Sequence, residues 1–61
     1  MRKFKVLTNL YSGVELDIYA EYVDITPYGD LKFSKIISGG ALSVIQAFAN
    51  GVWETFEEIT E

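Results

Sequence analysis

The segment Thr26-Pro27-Tyr28-Gly29-Asp30 constrains this chain more than any other. Proline fits the first central position of a type I turn, and glycine suits the left-handed residue that follows. A three-residue loop of this kind joins two antiparallel strands and sets their register. Ile25 then lies opposite Leu31 and Val23 opposite Phe33, with Asp24 facing Lys32 on the other side. Apolar meets apolar and acid meets base, so turn chemistry and side-chain pattern agree.

The same two-residue period runs through the first third of the chain. Phe4, Val6, Thr8 and Leu10 form one phase, and Val14, Leu16, Ile18 and Ala20 another. Each set predicts a strand with one buried face. A turn over 11–15 would pair Leu10 with Leu16, Thr8 with Ile18, Val6 with Ala20 and Phe4 with Tyr22. Lys5 would then face Glu21. Leu7, Tyr11 and Tyr19 fall on the outer face. The buried phase is even through Ile18 and odd from Val23, so the strand must bend or break at Ala20-Glu21-Tyr22. One long bent strand, or two strands meeting at a corner, satisfies this.

Gly39-Gly40 predicts a third turn, pairing Ile37 with Leu42, Phe33 with Gln46, Leu31 with Phe48 and Lys35 with Val44. The next stretch is ambiguous. Residues 41–49 contain no proline or internal glycine and could form a helix capped by Asn50-Gly51. They could equally be a strand, with Asn50-Gly51 as a type I′ turn that sets Phe48 against Trp53 and Ala47 against Glu54. The strand reading accounts better for Val44, Ile45, Phe48 and the aromatic pairing. The expected fold is all-β, a curved antiparallel meander or small barrel of about five strands. These run near Lys3–Tyr11, Glu15–Thr26 (bent), Leu31–Ile37, Leu42–Ala49 and Val52–Ile59. The alternative is α+β, with a helix at 41–49.

The run from Ala47 to Trp53 (AFANGVW), followed by Phe56-Glu57-Glu58-Ile59, resembles the ending of very short proteins of phages and mobile elements. Tyr22 to Ile25 and Gly29 to Phe33 match the middle of that pattern. The resemblance spans roughly the C-terminal two thirds and departs from the pattern at Asn50, where proline is usual. It implies a β fold and a phage-type setting, and no active site.

Sixty-one residues make a single domain, 1–61, and a chain this short buries only about 60% of its unfolded surface. Disulfides, metals or oligomerisation are the usual aids. Cys and His are both absent, which removes disulfides, thiolate metal sites and the commonest general base. Nine aromatics favour an efficient core or an oligomer. The net charge of −4 disfavours direct nucleic-acid binding. Arg2, Lys3 and Lys5 lie at one end of the chain and Glu54, Glu57, Glu58 and Glu61 at the other. No signal-peptide pattern and no apolar run of membrane-spanning length are visible. A cytoplasmic protein, in a bacterial host if phage-encoded, is the expectation.

No catalytic, metal or cofactor residue emerges. Glu15, Asp17 and Glu21 read as the outer face of a strand, and Gly39-Gly40 as a tight turn without the lysine of a phosphate loop. The candidates are for interaction. Tyr11, Tyr19, Tyr22, Tyr28 and Trp53 are of the type enriched at hot spots, and Tyr11, Tyr19 and Trp53 are the candidates among them. Ile36, Ile45 and Phe56 fall on the outer face of the last strands, and Glu54, Glu57 and Glu58 form an acidic end. A sheet buries one side only, so apolar residues on both sides predict that the sheet curls into a small barrel or that another copy covers it, with a homodimer or higher oligomer the favoured reading. The expected function is a non-enzymatic, phage-type interaction protein that inhibits or sequesters a host factor, and the expected partners are a host protein and copies of the chain itself. Two other functions stay open. One is an oligomeric binder of a nucleotide-like ligand; the other is an acidic decoy that imitates nucleic acid.

Overall fold

In the computed structural model, which describes residues 1–60, six strands follow the alternation. They are β1 (Arg2–Thr8), β2 (Glu15–Ala20), β3 (Tyr22–Ile25), β4 (Leu31–Ile36), β5 (Leu42–Phe48) and β6 (Trp53–Ile59). All pairings are antiparallel. They form two three-stranded sheets, ordered β2-β1-β6 and β3-β4-β5, which do not close into a barrel. The chain passes from the first sheet to the second at Glu21, the corner that the phase switch requires. Residues 42–48 are a strand, which overturns the helix alternative.

The hairpin around Pro27 has the expected register, with Val23 opposite Phe33 and Ile25 opposite Leu31. The Thr26 N–H donates to the Asp30 carbonyl and the Gly29 N–H to that of Thr26, both at 2.9 Å. The turn at Gly39-Gly40 has the same form. The Ile37 N–H donates to Ala41 and the Gly40 N–H to Ile37. This is a three-residue loop instead of the expected two. Ile36 therefore faces Leu42, and Lys35 faces Ser43 and not Val44. The register then shifts between Phe33 and Ser34, with Ile45 as the extra residue of a bulge, and Phe33–Gln46 and Leu31–Phe48 pair as expected.

Two expectations are corrected. The first hairpin pairs Phe4 with Ile18, Val6 with Leu16 and Lys5 with Asp17, four residues out of the expected register. Strand β1 stops at Thr8 because its buried hydroxyl serves the turn. It donates to the Val14 carbonyl at 2.9 Å and accepts from the Leu10 N–H at 3.3 Å. Leu10–Ser12 is a short 3₁₀ turn, so Leu10 and Tyr11 leave the strand. The second correction concerns β6. It does not form a hairpin with β5 but crosses to the first sheet and pairs with β1. The pairing suits both faces, with Phe56 opposite Val6 on the inner one and opposite charges on the outer one. Lys5 faces Glu57, and Arg2 holds Glu58 at 2.9 Å. The local hairpin would have set Glu54 against Ala47.

The inner faces of the two sheets meet on a core of Phe4, Val6, Ala20, Leu31, Phe33 and Phe48. The ring of Phe33 is its centre, 5.2 Å from Phe4, 6.3 Å from Phe48 and 6.4 Å from Phe56 between centroids. The last two pairs are edge-on, the arrangement the ring quadrupoles favour. Phe56, expected on an outer face, points inward because pairing with β1 sets it opposite Val6.

Candidate functional site

Three turns come together at one end of the molecule: 9–14, 26–30 and 49–52. Hydrogen bonds tie them. The Asn9 N–H donates to the Val52 carbonyl at 2.9 Å, and the Asn9 side-chain amide donates to that of Gly51. The Asn50 N–H donates to Asp30 Oδ1, and Trp53 Nε1 to the Gly29 carbonyl, both at 2.9 Å. Trp53 thus braces the cluster from beneath while its ring packs at 6.0 Å on Phe56. The only charged side chain in the three turns is Asp30, and it is engaged with Asn50.

Two tyrosines stand out from this frame. Tyr11 is 92% exposed and Tyr28 83%. Tyr11 also holds a left-handed backbone, φ 47°, followed by Ser12 at φ 69°. An L-residue there costs about 1 kcal/mol or more, and so exposed a ring gains no packing to offset it. Backbone strain of this kind concentrates at functional positions. The turns are built of Asn, Tyr, Ser and Gly, with Leu10 half out in solvent. That is the chemistry of binding loops, where tyrosine supplies large contact area with few torsions to immobilise. The arrangement can grip a surface. It holds no nucleophile beside a base.

The expected site residues are dispersed. Tyr11 belongs to the loop cluster and Trp53 supports it. Tyr19 lies on the outer face of β2, with the Lys3 ammonium 5.9 Å from its ring centroid. Ile36 and Ile45 lie on the second sheet, on β4 and at the β5 bulge. Phe56 belongs to the inner face. The acidic residues do not make one row. Glu54 sits at a register shift, Glu57 faces Lys5, and Glu58 is held by Arg2; Glu61 lies outside the described residues. A depression of about 290 Å³ includes Lys5, Glu15 and Glu57 in its wall. Lys5 lies 3.6 Å from Glu15, so these charges satisfy one another. Leu10, Asn9 and Asn50 escaped the sequence reading as site residues, and Tyr28 is legible there only as an aromatic of the hot-spot type. The shared composition of the three turns was the signal that could have found them.

Arg2 does several things at once. It donates two hydrogen bonds to the Glu58 carboxylate and one to the Glu21 carbonyl, and lies 5.1 Å from the Phe4 ring centroid. Its hydrogen bonds hold the Glu58 carboxyl below the ordinary glutamate value of 4.5. A carboxyl depressed in the folded state stabilises the fold above its unfolded pKa, and that contribution is lost as pH falls through the folded value. Glu58→Gln is therefore expected to flatten the acid limb of stability. Urea midpoints of protein and variant, taken between about pH 6 and pH 3, are expected to converge as pH falls. Parallel curves would contradict this.

Comparison with protein-family models, with curated proteins and with solved structures finds no match. Among the described residues no helix is long and apolar enough to cross a membrane.

Proposed function

We propose that the protein is a non-enzymatic binding module that engages another protein through the tyrosine-bearing loop end. In the setting implied by its likeness to small phage-type proteins, that engagement inhibits or sequesters a host factor. The observation that carries this is Tyr11, strained at φ 47° yet 92% exposed. Loops on a rigid scaffold are where recognition residues concentrate, and exposed tyrosines are favoured anchors. The rival readings have less behind them. Arg2 takes up Glu58, Glu54 sits at a register shift and Glu57 lies opposite Lys5, which leaves little of a phosphate-like row.

The test compares the immobilised protein with a Tyr11→Ala/Tyr28→Ala double variant against bacterial lysate. One protein is expected to be enriched on the parent and reduced about tenfold or more on the variant, as for loss of hot-spot aromatics. Equal capture by both would sink the loop-end reading. Tyr11→Gly separates binding from folding. It relieves the left-handed strain and is expected to raise stability by about 0.5–1 kcal/mol while binding weakens. A drop in its urea midpoint would show that Tyr11 serves the fold.

A further inference from the structure

The two sheets leave four edges, and three of them are guarded. Strand β2 carries Glu15 and Asp17 in solvent, β6 carries Glu54, Glu57 and Glu58, and β3 is only four residues long with Asp24 exposed. Charge and shortness are the devices by which sheet edges avoid pairing with other chains. Strand β5 has neither. It runs seven residues, Leu42–Phe48, at the open edge of its sheet. From Lys35 to Glu54 the sequence carries no charge. Leu42 is 60% exposed and Val44 51%, and their partners across β4 and β3 include the half-exposed Ile36 and Tyr22. Only the bulge at Ile45 interrupts the edge, leaving Leu42–Val44 regular beside the Gly39-Gly40 turn. A Cβ added at either glycine would meet nothing within 4 Å, so the approach is open.

We propose that this edge binds a second copy of the same chain. The two copies pair β5 with β5 antiparallel about a two-fold axis, making one six-stranded sheet. Two observations select a second copy as the occupant. Among the described residues six apolar side chains are buried, and the chain has no cysteine, so oligomerisation is an aid open to a domain this small where disulfides are not. Each copy bears a net charge of −4, and β5 is the edge along which two copies meet without opposing like charges. The loop cluster lies beyond the far end of β5 from Leu42, so pairing leaves Tyr11 and Tyr28 open.

The deciding measurement is mass in solution, by sedimentation or light scattering, over about 1 to 100 µM, where contacts of this kind are read. The protein is expected at twice its 6.9 kDa. Val44→Lys is expected at the single mass, or to need at least tenfold more protein to pair. The Tyr11→Ala/Tyr28→Ala variant is expected to remain paired. A parent chain that stays at 6.9 kDa across the range overturns the proposal, whatever the variants do. So does a folded Val44→Lys that pairs as well as the parent, or a mass that grows without limit, which means open-ended association. If Val44→Lys does not fold, Leu42→Ser trims the same contact without placing a charge there and is expected to weaken pairing. Loss of pairing in the tyrosine variant alone would move the contact to the loop end and overturn both this assignment and the free loop surface of the proposed function.

Discussion

Phe33→Ala is expected to abolish the cooperative unfolding transition. Phe33 is fully buried and contacts three other rings, from β1, β5 and β6. Truncating a buried Phe costs about 3–5 kcal/mol, through lost transfer energy and the cavity left behind. A chain of this length has total stability of roughly 3–9 kcal/mol. The loss is thus comparable with the whole. No smaller side chain nearby can fill the gap, because the flanking rings belong to strands of both sheets. Phe33→Leu keeps most of the volume and is expected to cost about 1.5 kcal/mol or less. Urea unfolding followed by tryptophan fluorescence reads both, since Trp53 packs on Phe56 beside the cavity. A cooperative transition in Phe33→Ala with a near-parent midpoint would mean that the rings are not the centre of the core.

Gly29→Ala is the second large effect. Gly29 has φ +86°, and a Cβ there would lie 2.9 Å from Asn50 Cγ. Two terms add. The left-handed backbone costs about 1–2 kcal/mol for any L-residue. Moving Asn50 also strains its N–H bond to Asp30, a net hydrogen bond of about 1 kcal/mol. Gly39→Ala is the matched control. Its φ is +88°, but nothing lies within 4 Å of the added Cβ. The expected losses are about 2–3 kcal/mol for Gly29→Ala and about 1–2 for Gly39→Ala. The difference isolates the crowding between turns. Equal losses would show that Asn50 swings aside freely and that the loop end is less tightly knit than its hydrogen bonds imply.

Local chemistry made part of this fold readable. Pro27 and Gly29 set the central hairpin, and the phase change between Ile18 and Val23 required the corner at Glu21. Valine, isoleucine and phenylalanine in β5 correctly outweighed its helix formers. The first hairpin was misread because Leu10 continues the apolar alternation while the turn turns on Thr8, whose hydroxyl looks like one more strand side chain. Nothing in a tyrosine's identity announces that Tyr11 adopts positive φ. The partner of β6 was missed for another reason. Asn50-Gly51 is a strong short-range signal, and it does form a turn, with the Val52 N–H on the Ala49 carbonyl. The strand's partner is β1 at the other end of the chain, which meets Phe56 with Val6 and Glu58 with Arg2, a match that no local signal shows. Of the candidate site, Tyr11, Tyr28 and Trp53 were visible as residue types. Their meeting with one another and with Asn50 depends on three turns separated in sequence.

The pairing of Lys3 with Ile59 places the first and last strands side by side. Order in time follows from this. A sheet closed by such distant segments has a high share of non-local contacts, and folding of that kind runs in milliseconds to seconds. During synthesis β1 and β2 can form a hairpin early, but the inner face of β1 lacks Phe56 and Trp53 until β6 has left the ribosome. Completion of the first sheet therefore waits on β6. Until it arrives, the nascent chain exposes the open side of β1 as well as β5, and that interval is when it is most vulnerable to proteases and to pairing with its neighbours.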